Sequence, residues 1–279
     1  MFVEASKKSR SSVCKLHFYN DKGIVVDTLS GFKVNNSLVT AEEAFFIKKA
    51  VSVTITFCGD TYQSILASLE IPYKEFVSNF GIGLRRNEEG YAVFNIDLPE
   101  FEYVPSLAFD ESGEIPLGHE LLFLGYQEGL PCQTMKKVFV SSSFKNAFGR
   151  MTLVLDGNFG YGNSGGPIID PHTGKVIGIV NRRITASAKY FERLINTVNE
   201  NIKMLKKIEG RFIIDDVDPI QVLVVNQNQL KLLAKNIYLH SNSAQAFAIL
   251  PEPLIGYFQR SEEDVSVKQK IKRTVLEEM

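Results

Sequence analysis

The string Gly162-Asn163-Ser164-Gly165-Gly166-Pro167 constrains this chain more than any other feature. Its glycines permit a tight turn with backbone dihedrals that other residues resist. Such a turn holds a serine hydroxyl outward and can aim neighbouring backbone N–H groups at one point. Acyl transfer needs that combination, because nucleophile and oxyanion donors must meet at one carbonyl. A short G-x-S-x-G match alone is weak. Here the string is preceded by a strand and followed by Ile168-Ile169 and then Gly174-Lys175-Val176-Ile177-Gly178-Ile179-Val180, a turn and another strand.

The rest of the first two-thirds agrees with a β protein. Val13–Tyr19, Ile24–Val34, Ser37–Thr40, Val51–Phe57, Gln63–Leu69, Ile82–Arg85 and Tyr91–Ile96 are rich in β-branched and aromatic residues, and turn residues such as Asn20–Gly23 and Asn35-Asn36 separate some of them. That spacing suggests a barrel or sandwich. A connector carrying Pro99 and Pro105 leads to a second set: Glu120–Tyr126, Lys136–Ser141, Met151–Leu155, Pro167–Ile169 and Val176–Val180. After Arg183 the period changes. Phe191, Leu194, Ile195, Val198, Ile202 and Leu205 recur at helical spacing, and Gly210 stands where a helix would stop. Asp218-Pro219 reads as the N-cap and first residue of a second helix. A strand, Ala244–Leu250, follows, and Ser261 with Asp264 opens a charged C-terminal helix.

These residues resemble the trypsin-like serine peptidases of the chymotrypsin fold, and the HtrA-like branch in particular. Beside the serine string, Ser30–Val34 and Leu38–Ala41 resemble the paired strands that lead to the family's catalytic histidine. Gly90–Asp97 resembles the strand that opens with its aspartate, Pro116–Tyr126 the start of the second barrel, and Ala244–Leu250 the last barrel strand. The resemblance covers residues 12–183 and 243–258. It implies a mainly β fold of two six-stranded antiparallel β-barrels: the first over 12–105, the second over 106–183 plus 243–258. A helical insertion over 186–242 interrupts the second barrel, and a helix over 261–279 ends the chain.

The resemblance also marks a departure. Glu43 stands where the family has its histidine and Gly90 where it has its aspartate, so of the triad positions only Ser164 is kept. By the same mapping Gly162, Asn163 and Ser164 form the oxyanion turn. Asn158 lies near the floor of the primary specificity pocket, and Val180, Asn181 and Arg182 form its edge. Serine needs a base in reach to attack at neutral pH, and losing a triad member leaves only about 10³–10⁴-fold catalysis over water. The expectation is therefore a peptidase fold acting as a non-catalytic peptide- or protein-binding module. The alternative is a serine endopeptidase that pairs Ser164 with Glu43 or with a base assembled by a partner.

Composition narrows the remaining classes. Lys+Arg 31 against Asp+Glu 32 gives a net charge of -1, which argues against a nucleic-acid coat. No apolar run is long enough to span a membrane, and the N-terminus lacks the apolar core of a secretory signal. Cys14, Cys58 and Cys132 have no metal or disulfide spacing, so no metal or other cofactor is implied and a cytoplasmic setting is expected. A protein or extended peptide is the expected partner, docked in the old cleft, on the 186–242 insertion or on the C-terminal helix.

Overall fold

The computed structural model describes residues 1–61, 64–83, 90–113, 115–184, 188–214, 217–240, 243–252 and 254–260. The expected helix over 261–279 lies outside them. The chain divides into two compact units: Met1–Arg183 with the chain from Ala244 onward, and Ile184–Ser243.

The first unit begins with a helix, α1 (Phe2–Ser9), and holds the strands β1 (Val13–Tyr19), β2 (Val25–Val34), β3 (Ser37–Ala41), β4 (Ser52–Cys58), β5 (Ile65–Pro72), β6 (Phe80–Gly83) and β7 (Tyr91–Asn95), with α2 (Tyr73–Ser78) between β5 and β6. These strands form one seven-stranded sheet in the order β5-β4-β1-β2-β3-β7-β6. The second set is β8 (Glu120–Tyr126), β9 (Gln133–Lys145), β10 (Met151–Phe159), β11 (Pro167–Ile169), β12 (Val176–Ile184) and β13 (Ser243–Ile249). It closes into a six-stranded barrel, β10-β13-β12-β11-β8-β9. The architecture is thus mainly β and chymotrypsin-like. The first sheet departs from the expected six-stranded form in having a seventh strand.

Alternation of apolar residues builds three cores. Leu16, Phe18, Leu38, Ile55, Phe57, Phe76 and Phe94 fill the inside of the first sheet, where Phe76 stacks on Phe94 with ring centroids 4.1 Å apart. Leu121, Phe123, Val138, Leu155, Phe159 and Ile168 fill the barrel. A third cluster joins the two, with Phe32, Val39 and Tyr91 from the first sheet against Leu122, Leu124, Ile169 and Ile249 from the barrel. The connector is tied down by a buried cation. Lys33 on β2, 5% exposed, donates to the carbonyls of Phe101 (2.9 Å) and Val104 (2.8 Å).

The second unit is an antiparallel helical hairpin of α3 (Ala188–Lys206) and α4 (Pro219–His240). Asp218 caps α4, its Oδ1 accepting from the Ile220 N–H at 2.8 Å, as its place before a proline suggests. Residues turned inward recur at spacings of three and four: Phe191, Ile195, Val198, Ile202 and Leu205 on α3, and Ile220, Val224, Gln227, Lys231, Ala234 and Tyr238 on α4. Phe191 stacks on Tyr238 at 4.3 Å, and Lys231 Nζ donates to Asn199 Oδ1 at 2.6 Å. No described helix is long and apolar enough to cross a membrane.

Candidate active-site cleft

The serine turn lies between the ends of β10 and β11 and is bonded on three sides. The Gly165 N–H donates to the Val180 carbonyl (2.7 Å) and the Val180 N–H to the Gly166 carbonyl (2.9 Å), which fixes the turn to β12. The Ser30 N–H donates to the Ser164 carbonyl (2.9 Å), which fixes it to β2. Ser30 Oγ donates to the Gly162 carbonyl (2.8 Å) and accepts from the Tyr126 N–H (2.8 Å), joining β2, β8 and the turn. Gly165 shows why glycine is needed: its φ is +84°, and a Cβ there would lie 2.2 Å from the Ser30 carbonyl oxygen and 2.6 Å from the Ala41 nitrogen. Only a residue without a side chain lets the turn sit this close to β2 and β3.

Those contacts bring the three mapped positions into one neighbourhood. Ala41, at the end of β3, pairs with Tyr91 of β7, and the Glu42 N–H donates to the Gly90 carbonyl at 3.2 Å. Glu43 stands next in the short helical turn Glu42–Phe45, and Gly90 is buried beside it. The Glu43 side chain, however, is exposed. Ser164 Oγ makes no hydrogen bond to any described residue. The histidines are engaged elsewhere: His17 Nδ1 lies 3.4 Å from Tyr19 Oη, and His119 Nε2 lies 3.8 Å from Asp170 Oδ2. His172 takes part in the Asp170 turn through its backbone, and His240 belongs to the helical unit.

Of the three residues of the oxyanion turn, Asn163 has its N–H committed to the Gly160 carbonyl at 3.3 Å. The N–H groups of Gly162 and Ser164, on either side of it, make no hydrogen bond to described residues; Gly162 is buried and Ser164 half-buried. Asn158 is exposed near the end of β10, next to the fully buried Phe159. Val180 and Asn181 are buried on β12, 1% and 5% exposed, and Arg182 follows them in the strand. β11 begins at Pro167, opposite Ile179, so residues 181–184 of the antiparallel β12 run on past that end of it.

A group of acids beside the turn escaped the sequence reading. Tyr161 Oη donates to Asp27 Oδ1 at 2.6 Å. Burial pushes the Asp27 carboxyl above its ordinary value, against the hydrogen bonds from Tyr161 and the Thr28 N–H, with Glu128 adding to the rise. Burial also pushes the Tyr161 phenol well up, helped by Asp27, Glu128 and Glu43, so at neutral pH the phenol is the donor. The residues come from strands and loops far apart in sequence, and no local pattern announces the pair.

The trypsin-like peptidase domain matches this chain over residues 30–179. The chain belongs to that family. Among solved structures, this peptidase domain is similar to the HtrA-type protease AlgW with a tripeptide, at 18% identity and a TM-score of 0.51, over 71% of this chain and 63% of that chain. It is also similar to the active form of the Rv3671c protease of M. tuberculosis, at 19% identity and a TM-score of 0.46, over 64% of this chain and 74% of that chain. A serine endoprotease of Yersinia pestis matches at 18% identity and a TM-score of 0.47, over 66% of this chain and 58% of that chain. No curated protein matches. The likeness to AlgW shows the chymotrypsin-like fold of the peptidase domain.

Proposed function

We propose that this trypsin-like peptidase domain is a non-catalytic module that binds an extended peptide or a protein segment in the cleft of its fold. The observation that carries the reading is the isolation of Ser164: among the described residues its hydroxyl has no base, Glu43 at the histidine position is exposed, and Gly90 at the aspartate position offers no side chain. What the cleft keeps is suited to binding. The Gly162 and Ser164 N–H groups can receive a carbonyl oxygen, and the run of β12 past β11 presents a strand edge to an extended backbone. The helical hairpin, with large apolar side chains facing outward, is a second surface for a protein partner. Three free cysteines, two of them buried, suit a reducing compartment such as the cytoplasm.

Labelling with a fluorophosphonate probe from pH 4 to 9, with Ser164→Ala as control, tests the reading. No serine-dependent labelling is expected at any pH. Labelling that disappears in S164A would show an activated serine and establish the alternative, an endopeptidase; its pH profile would then identify the base, and Glu43→Gln would abolish it if Glu43 serves.

A further inference from the structure

Lys136 carries an ammonium group into the barrel wall behind the serine turn. It lies on β9 opposite Phe123 of β8, in step with the buried Val138 and Val140. Its Nζ donates to Asn163 Oδ1 at 2.7 Å and to Gln127 Oε1 at 3.0 Å, and it sits 5.6 Å and 5.9 Å from the ring centroids of Phe123 and Phe159. Asn163, 1% exposed, is held from all sides. Its Oδ1 also accepts from the Gly160 N–H (2.8 Å), its Nδ2 donates to the Tyr126 carbonyl (2.7 Å), its own carbonyl accepts from the Gly166 N–H (3.1 Å), and its N–H is bonded to Gly160. The residues on either side of Asn163 are those whose amides have no hydrogen-bond partner among the described residues. Fixing Asn163 therefore fixes the two donors.

Burial lowers the pKa of Lys136 to about 8, and no carboxylate among the described residues is paired with it. Among the described residues, it contacts the two aromatic faces and the two amide oxygens. A half-buried cation bonded to the residue between two unpartnered amides points to a geometric task.

We propose that Lys136 is a positioning residue for the serine turn: its hydrogen bond to Asn163 holds the side chain from which the Gly162 and Ser164 donors are set. That the turn so held serves a bound peptide rests on the function proposed above. The positioning itself does not.

Two substitutions separate this role from mere support. Lys136→Met keeps the apolar stem, one atom shorter, and removes the donor. Replacing a buried charge by an apolar group of similar shape is often neutral or stabilising, so Tm should hold or rise. The loss of a charged hydrogen bond should at the same time speed hydrogen exchange of the Gly165 and Gly166 N–H groups at least tenfold. Lys136→Arg keeps a donor and should restore protection to within about threefold of the native chain. A structural prop would move both readouts together. Unchanged exchange at Gly165 and Gly166 in K136M, or a lowered Tm with proportional loosening throughout the barrel, overturns the assignment. If K136M does not fold, Lys136→Leu, which also has no donor, takes its place with the same tenfold expected and unchanged exchange again overturning it. The measurement needs no ligand, so a failure of peptide binding and a failure of positioning give different results.

Discussion

Substituting Gly165 by alanine separates the contribution of backbone conformation from that of close packing at the serine turn. The φ of +84° costs an L-residue about 1–2 kcal/mol. The added methyl meets the Ser30 carbonyl at 2.2 Å, Thr40 Oγ1 at 2.4 Å and the Ala41 nitrogen at 2.6 Å. None can simply turn aside: Ser30 O accepts from Thr40 Oγ1 at 2.7 Å, and two of the three atoms are backbone in β2 and β3. Forced overpacking of this kind costs about 1–3 kcal/mol, and with the dihedral the total is about 4 kcal/mol. For a unit of this size that lowers Tm by about 8–16 °C. Gly174→Ala isolates the first contribution, since Gly174 has φ +73° and nothing within 4 Å of an added Cβ. Ser164→Ala is the third arm and should stay within about 0.5 kcal/mol, its hydroxyl having no described partner. Thermal or urea unfolding of the three variants measures the differences. If G165A loses no more stability than G174A, the turn is not packed against the first sheet as described, and the structural reason for keeping the glycine string falls.

Ser30→Ala should cost about 2–3 kcal/mol in urea unfolding, because it strands the buried Tyr126 N–H and removes the donor to the Gly162 carbonyl; a loss under 1 kcal/mol contradicts those bonds. His17 gives a pH test. Burial, with Lys15 adding to it, lowers its pKa to about 4, whereas in the unfolded chain it protonates near 6.5. Between those values the unfolded chain holds the extra proton, so stability falls as pH drops from 6.5 to 4, and His17→Gln should remove that part of the slope. An identical slope in H17Q rules the histidine out. On the hairpin, Val224→Lys puts a charge at an inward position, 8% exposed, and should abolish exchange protection across α3 and α4. Val225→Lys, 53% exposed one residue on, should leave protection unchanged. Equal effects would refute the three-four register.

Legibility in the sequence followed locality. The serine string, the strands around it and the Asp218 cap depend on near neighbours in the chain, and each sits where its own residues dictate. The last strand, expected at Ala244–Leu250 from the resemblance, lies at Ser243–Ile249 and pairs into the barrel after the intervening helices. The helix Phe2–Ser9 was not readable: Ser and Lys dominate it, and only Ala5 and Ser9 are buried. Long-range polar pairing was equally silent. Asp27 and Tyr161 are 134 residues apart, and neither has a local reason to find the other. Lys136 did leave a trace, because in Lys136–Val140 it shares the parity of the two inward valines, and a lysine on the inner face of a strand asks for a partner. The oxyanion assignment for Asn163 rested on chain position, whereas turn geometry commits its N–H to Gly160.

The hairpin departs from the barrel at Ile184 and the chain re-enters it at Ser243, at strands that are immediate neighbours in the closed ring. In polymer terms the whole excursion is one long loop, and the entropy of closing a loop grows only with the logarithm of its length. Lengthening a turn between β12 and β13 from a few residues to a folded hairpin therefore asks little of the barrel. The same joint is where the hairpin can be exchanged or cut out for a short turn, leaving the peptidase fold to be studied without it.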